Sequence, residues 1–217
     1  MERGMSISSE MVKRLREISG APMMECKKAL EEAEGSPEEA YTILRKRGQA
    51  AAAKKAGRAA TQGLVGSYVH QGAQIAEIVE VNSESDFVTR TEEFQELAHD
   101  LAMQICAADP RFIRKEDVTE ETLEGERAIL RDQAKSSGKP DAVFDRIVEG
   151  RLAKFYEDNC LYEQHFIKDQ AGTQTVRELI NSKIAKFGEN ITVRRFARFK
   201  VGEGIGSAAA DGAGAGS

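Results

Sequence analysis

The chain has 217 residues, 41% of them hydrophobic and 31% charged, with a formal net charge of −5. That length suits one ordinary domain plus a small accessory one, and the composition excludes a natively disordered chain. The acidic balance argues against a nucleic-acid footprint over the whole surface, and no apolar run approaches the length of a bilayer span.

Met1 to Met5 leads into polar serines and not into an apolar signal core, so a cytoplasmic address without membrane association is expected. Cys26, Cys106 and Cys160 are widely spaced, odd in number and never in a CxxC pair. They predict neither a zinc site nor a disulfide framework, and read as buried apolar fillers.

Three short helices open the chain. Ser8 or Ser9 caps the first, Met11, Leu15 and Ile18 fall at helical spacing, and Gly20 closes it. Pro22 suits the first turn of the second, which carries Met23, Met24, Cys26, Ala29, Leu30 and Ala33 and ends at Gly35. Ser36-Pro37-Glu38-Glu39 joins an N-cap, a first-turn proline and a capping-box acid ahead of Ala40, Ile43 and Leu44. Gly48 is the expected stop, so residues 1–48 form a three-helix N-terminal domain.

Residues 49–63 are mostly alanine with Lys54, Lys55 and Arg58 and no acid, a helical linker or docking arm. Its cations either line a solvated helix face or touch RNA or the ribosome. Two β-branched runs follow, Leu64 to His70 and Gln74 to Val81, with Gln71-Gly72-Ala73 as the hairpin turn. A polar loop, Asn82 to Asp86, precedes a helix capped by Thr89 with Glu92 or by Thr91 alone. Phe94, Leu97, Ala98, Leu101 and Ile105 form its apolar stripe, and Asp109-Pro110 ends it.

A helical hairpin comes next. Its first helix is capped by Thr119 and carries Leu123, Ile129 and Leu130; its second starts near Pro140 and carries Phe144, Ile147, Val148, Leu152 and Phe155. An extended piece over Leu161 to Ile167 leads to a capping box at Thr175 and Glu178, a helix lined by Val176, Leu179, Ile180, Ile184 and Phe187, and a stop at Gly188. The last element is a strand in which Ile191, Val193, Ala197, Phe199 and Val201 alternate with Thr192, Arg194, Arg198 and Lys200, while Phe196 falls on the basic face. The fold class is α+β: residues 64–205 form a core with a small antiparallel sheet packed by helices, and residues 206–217 form a disordered Ala/Gly/Ser tail.

No catalytic constellation is visible. His70, His99 and His165 lie far apart without metal-site spacing, and no phosphate loop or nucleophile signature occurs. An enzyme, a bound metal and a cofactor are all unexpected. Two apolar features invite a partner. Phe87 stands between a polar loop and a helix, either as a plug for another protein or as a staple folded back on Phe94. Met23 and Met24 are adjacent on one helix, so both cannot fully face its core.

Leu15-Arg16-Glu17-Ile18-Ser19-Gly20-Ala21-Pro22-Met23-Met24-Glu25-Cys26-Lys27-Lys28-Ala29-Leu30 resembles the N-terminal signature of the elongation factor Ts family. Glu80-Val81-Asn82-Ser83-Glu84-Ser85-Asp86-Phe87-Val88-Thr89-Arg90 is similar to the family's second signature, centred on Thr-Asp-Phe-Val. The similarity continues through Lys54-Lys55-Ala56-Gly57-Arg58, Gly188-Glu189-Asn190-Ile191 and Arg194-Arg195-Phe196 to Ile205. Ser19 and Ser85 stand where threonine is usual, Pro22 where glycine is usual, and His165 where proline is common.

The resemblance implies a guanine-nucleotide exchange factor for the translation GTPase elongation factor Tu, one that stays bound until GTP displaces it. It also implies a UBA-like form for the N-terminal domain. Ser85, Asp86, Phe87 and Val88 would act on the partner's Mg²⁺-holding groups, with Asp86 and Phe87 as the wedge that releases GDP. Arg16, Met23 and Met24 would dock the N-terminal helices. The sheet, including the strand near Phe196, would hold a more distant domain of the partner. The length matches the short form with a single core subdomain, for which a homodimer is implied, and no direct nucleic-acid contact is expected. The alternative is a ribosome- or RNA-associated protein using the basic segment 45–58.

Overall fold

A computed structural model describes residues 7–136 and 144–203. Its elements are α1 (Ser9–Ser19), α2 (Met23–Glu32), α3 (Pro37–Lys55), β1 (Gln62–Val69), β2 (Ile75–Ser83), α4 (Asp86–Thr89) and α5 (Glu92–Ala108). They continue with α6 (Glu120–Ser136), α7 (Phe144–Asn159), α8 (Val176–Phe187) and β3 (Ile191–Lys200). The expected break at Gly138-Lys139-Pro140, the tail from 206 and the side chains of Phe144 and Ile147 lie outside the described residues.

Local chemistry sets most helix ends. The Ser8 hydroxyl accepts from the Met11 amide at 3.2 Å to start α1, and Gly20 ends it in the left-handed conformation at φ 64°. Pro22 occupies the cap of α2 and not its first turn, with φ −56°. Val12, Leu15, Cys26, Leu30 and Ala40 close a small core among α1, α2 and α3. Val12 takes the inward place that spacing gave to Ile18. The winning stripe ends on Ser19, whose hydroxyl meets Cys26 Sγ at 3.6 Å and accepts from the Ala21 amide at 3.2 Å.

Gly48 does not end α3, contrary to the reading from sequence; the helix runs through it to Lys55. Its alanine-rich second half lies on α8, where small residues let two helices approach closely. Ala52 packs on the main core. At the same crossing the Arg45 guanidinium pairs with Glu178, whose other oxygen accepts from the Thr175 amide at 3.1 Å in the α8 capping box.

The three strands form one antiparallel sheet in the order β1-β2-β3. Its inner face presents Leu64, Val79, Val81 and Val193 to α5 and α8, where the stripe of Phe94, Leu97, Ala98, Leu101 and Ile105 is buried as its spacing requires. The strand β2 reaches two residues beyond Val81, burying Asn82 and Ser83 that the sequence places in a loop. In β3 the alternation changes phase. Glu80 pairs with Arg195 while Val81 pairs with Val193, so Arg194 is the extra residue of a β-bulge. The bulge corrects the expected placement of Phe196, which packs against the core, and turns Ala197 and Phe199 outward.

The outer face therefore carries Val65, Val69, Ile78 and Phe199, all exposed. Thr119 caps α6 by accepting from the Thr122 amide at 3.3 Å, and Leu123, Leu152, Cys160 and Val118 form a third cluster under the α6–α7 pair. A 3-10 turn, Leu161–Glu163, stands where an extended piece was expected. All three cysteines are free and buried.

Glu77 on the inner face is 1% exposed, and neither carboxylate oxygen has a partner at hydrogen-bonding geometry among the described residues. Burial pushes its pKa up to about 8, while Arg198 across the strand and the Ala197 amide pull the other way. The ordinary value is 4.5. Between those two pH values the folded chain holds a proton that the unfolded chain has released, so stability falls as pH rises and levels off above the folded pKa. Glu77→Gln is expected to remove that slope, at most about 1.4 kcal/mol per pH unit. Thermal unfolding of both chains from pH 5 to 9 checks this; parallel profiles would refute it.

Candidate partner-binding site

Phe87 sits on the single turn α4, whose flanks are fixed and whose tip is not. Val88 packs against the main core and Thr89 is buried, its hydroxyl donating to the Asp86 carbonyl at 2.9 Å. Successive residues on a helix point about 100° apart, so anchoring Val88 and Thr89 turns Phe87 to solvent, 79% exposed. The staple on Phe94 does not form: the Phe94 ring is buried against Phe187, with centroids 6.5 Å apart. Arg90 donates to Asp86 Oδ2 at 2.6 Å across one turn.

The segment before α4 is braced from a distance. Glu189 accepts from the Ser83 hydroxyl at 2.7 Å, the Ser85 amide at 3.0 Å and the Ser85 hydroxyl at 2.6 Å. Burial disfavours charge on Glu189, but the Ser85 and Ser83 hydroxyls and the amides of Ser85 and Glu84 outweigh it and hold the carboxyl below the usual range. Glu84 accepts from the Asn190 amide at 2.6 Å and faces the Arg58 guanidinium at 3.5 Å. Sequence reasoning missed Glu84 and Glu189 as braces. No local signal marked either acid, because their bonds reach across more than a hundred positions of the chain.

The N-terminal group is separate. Arg16 is exposed on α1, and Met23 and Met24 are both exposed at the start of α2, 43% and 60%. Arg16 and Met23 line a groove of about 420 Å³ with Lys13, Glu93 and Lys186. Glu93 lies in the first turn of α5 and is held by Lys183 at 2.6 Å and Lys186 at 2.5 Å. The structure thus brings Arg16 and Met23 to the core's edge near α5, with Ser85 to Val88 as a second group just before that helix.

Among the described residues no group of three or more His, Cys, Asp or Glu side chains is arranged to hold a metal ion, and no helix is long and apolar enough to cross a membrane. Phe87, Met23 and Met24 are exposed apolar side chains of the kind that protein–protein contacts bury. The family model described as elongation factor TS matches residues 50–203. An elongation factor Ts of Solibacter usitatus (strain Ellin6076) is 58% identical over 201 residues, covering 93% of this chain and 94% of that protein. One from Koribacter versatilis (strain Ellin345) is 60% identical over 199 residues, 92% and 90% of the two chains. The chain belongs to the elongation factor Ts family, the guanine-nucleotide exchange factors of translation elongation.

Proposed function

We propose that this chain promotes GDP release from elongation factor Tu by inserting Phe87, with Asp86 beside it, into the GTPase domain and displacing the groups that hold Mg²⁺. The observation that carries the reading is a phenylalanine 79% exposed on a turn whose neighbours are anchored. The nucleotide-free partner is favoured, and by linkage GTP displaces the factor in turn. Arg16, Met23 and Met24 dock on another part of the same domain. Burying one phenylalanine contributes about 1.5–3 kcal/mol, so the remainder comes from a wide interface. Stopped-flow release of a fluorescent GDP from elongation factor Tu tests this. Acceleration at substoichiometric chain is expected; none with a matched bacterial partner would overturn it.

The runner-up, RNA binding through residues 45–58, gains no support. Arg45 pairs with Glu178, Arg47 with Glu25 and Glu32, and Arg58 with Glu84, which engages three of that segment's cations. A UBA-like form for the three-helix unit and a cytoplasmic address are part of the same proposal, by resemblance to the family.

The bare outer sheet face is assigned to a second copy of the chain. Val69, Ala76 and Phe199 lie in one cross-strand row and Ser67, Ile78 and Ala197 in the next. An apolar patch is self-complementary about a two-fold axis without charge matching. Sedimentation is expected to show a dimer that Ile78→Lys converts to monomer; a monomeric parent chain would refute the assignment. The partner's distant domain would then reach the sheet at its rim.

A further inference from the structure

The segment leading into Phe87 and the turn between α8 and β3 hold each other by crossed carboxylates. Glu189 takes three hydrogen bonds from Ser83 and Ser85, at 2.6 to 3.0 Å. Glu84 takes the Asn190 amide at 2.6 Å in return, and Asn190 Nδ2 donates to the Arg58 carbonyl at 2.8 Å. Bonds to an ionised acceptor are shorter and about twice as strong as neutral ones. Ser85 is the residue before α4, and its side chain makes no capping bond to that turn, so its hydroxyl is committed to Glu189. On the other side Val88 is packed in the core. Phe87 itself is exposed, and the residues on both sides of it are held.

We propose that Glu189 is a positioning residue for nucleotide exchange: it holds Ser83 to Ser85 so that Phe87 meets the GTPase already aimed. This rests on the wedge role of Phe87 proposed above. A loosened segment would have to be ordered at the moment of insertion, and that cost falls on the insertion step. Partner docking, spread over a wide interface, is affected little. The signature is therefore a lower maximal rate of GDP release with a nearly unchanged half-saturating concentration.

The test measures GDP release from elongation factor Tu against factor concentration for Glu189→Gln, Phe87→Ala and the double variant, with thermal unfolding of each. Glu189→Gln keeps the shape but loses the charge and one acceptor. Its maximal rate is expected to fall about tenfold, with partial recovery in Glu189→Asp. The double variant is expected to match Phe87→Ala, because Glu189 acts only through that side chain. A fully active Glu189→Gln beside a slow Phe87→Ala overturns the positioning role and leaves the wedge standing. A fully active Phe87→Ala overturns the wedge itself. Losses that multiply in the double variant overturn the positioning role as well, since Glu189 would then act by another route. If Glu189→Gln unfolds at the assay temperature, Ser83→Ala removes one hydroxyl contact of the same carboxylate from a buried position and carries the same expectations.

Discussion

Phe87→Ala is expected to slow factor-stimulated GDP release about ten- to a hundredfold, the equivalent of one buried phenylalanine. The fold should be unaffected, because a side chain 79% exposed contributes little to the core, where Phe94 packs on Phe187 instead. Its thermal unfolding is therefore expected to match the parent within about 0.5 kcal/mol. The two measurements together separate a docking defect from a folding defect. Unchanged GDP release with an intact fold would remove Phe87 from the mechanism and shift the weight to Arg16, Met23 and Met24.

Gly66→Ala is expected to destabilise the chain by about 3 kcal/mol, lowering the melting temperature by about 6–12 °C. Gly66 lies in β1 where α5 crosses it, and an added Cβ would stand 2.5 Å from the Ala98 carbonyl oxygen and 2.7 Å from its carbonyl carbon. Both atoms are helix backbone, so relief requires moving α5 off the sheet, and α5 supplies much of the main core. Gly48 makes the contrasting case. A Cβ there would meet Asn181 no closer than 3.7 Å, and alanine is the better helix former. Gly48→Ala is thus expected to hold or raise stability, by up to about 1 kcal/mol. Calorimetry of the two variants checks both signs; a Gly66→Ala chain that melts with the parent would mean that the helix–strand approach is not limiting.

The helices were legible because their signals are local. The Ser8, Ser36, Thr91 and Thr175 caps each close within three residues, and the glycine stops at Gly20 and Gly188 need only a left-handed backbone. The α5 stripe repeats over about three turns and admits one buried face. Phe87 and the methionine pair were legible as candidates, since apolar side chains stood where polar ones were expected. Their exposure was not, because spacing alone fits a staple as well as a plug.

Sequence by itself determined the order of the long helices and the three strands, the α5 face and the two signatures that place the chain in its family. The tertiary structure decided where distant segments meet. Contact with α8 carried α3 through Gly48, where an isolated helix would be free to stop. Pairing with β2 chose the bulge at Arg194, and a slip of one residue sends every later side chain of β3 to the other face. The Glu189–Ser85 bond joins residues 104 positions apart. Such bonds leave no mark in the local pattern of either segment, because burial and hydrogen-bond satisfaction are properties of the packed chain and not of its neighbours in sequence.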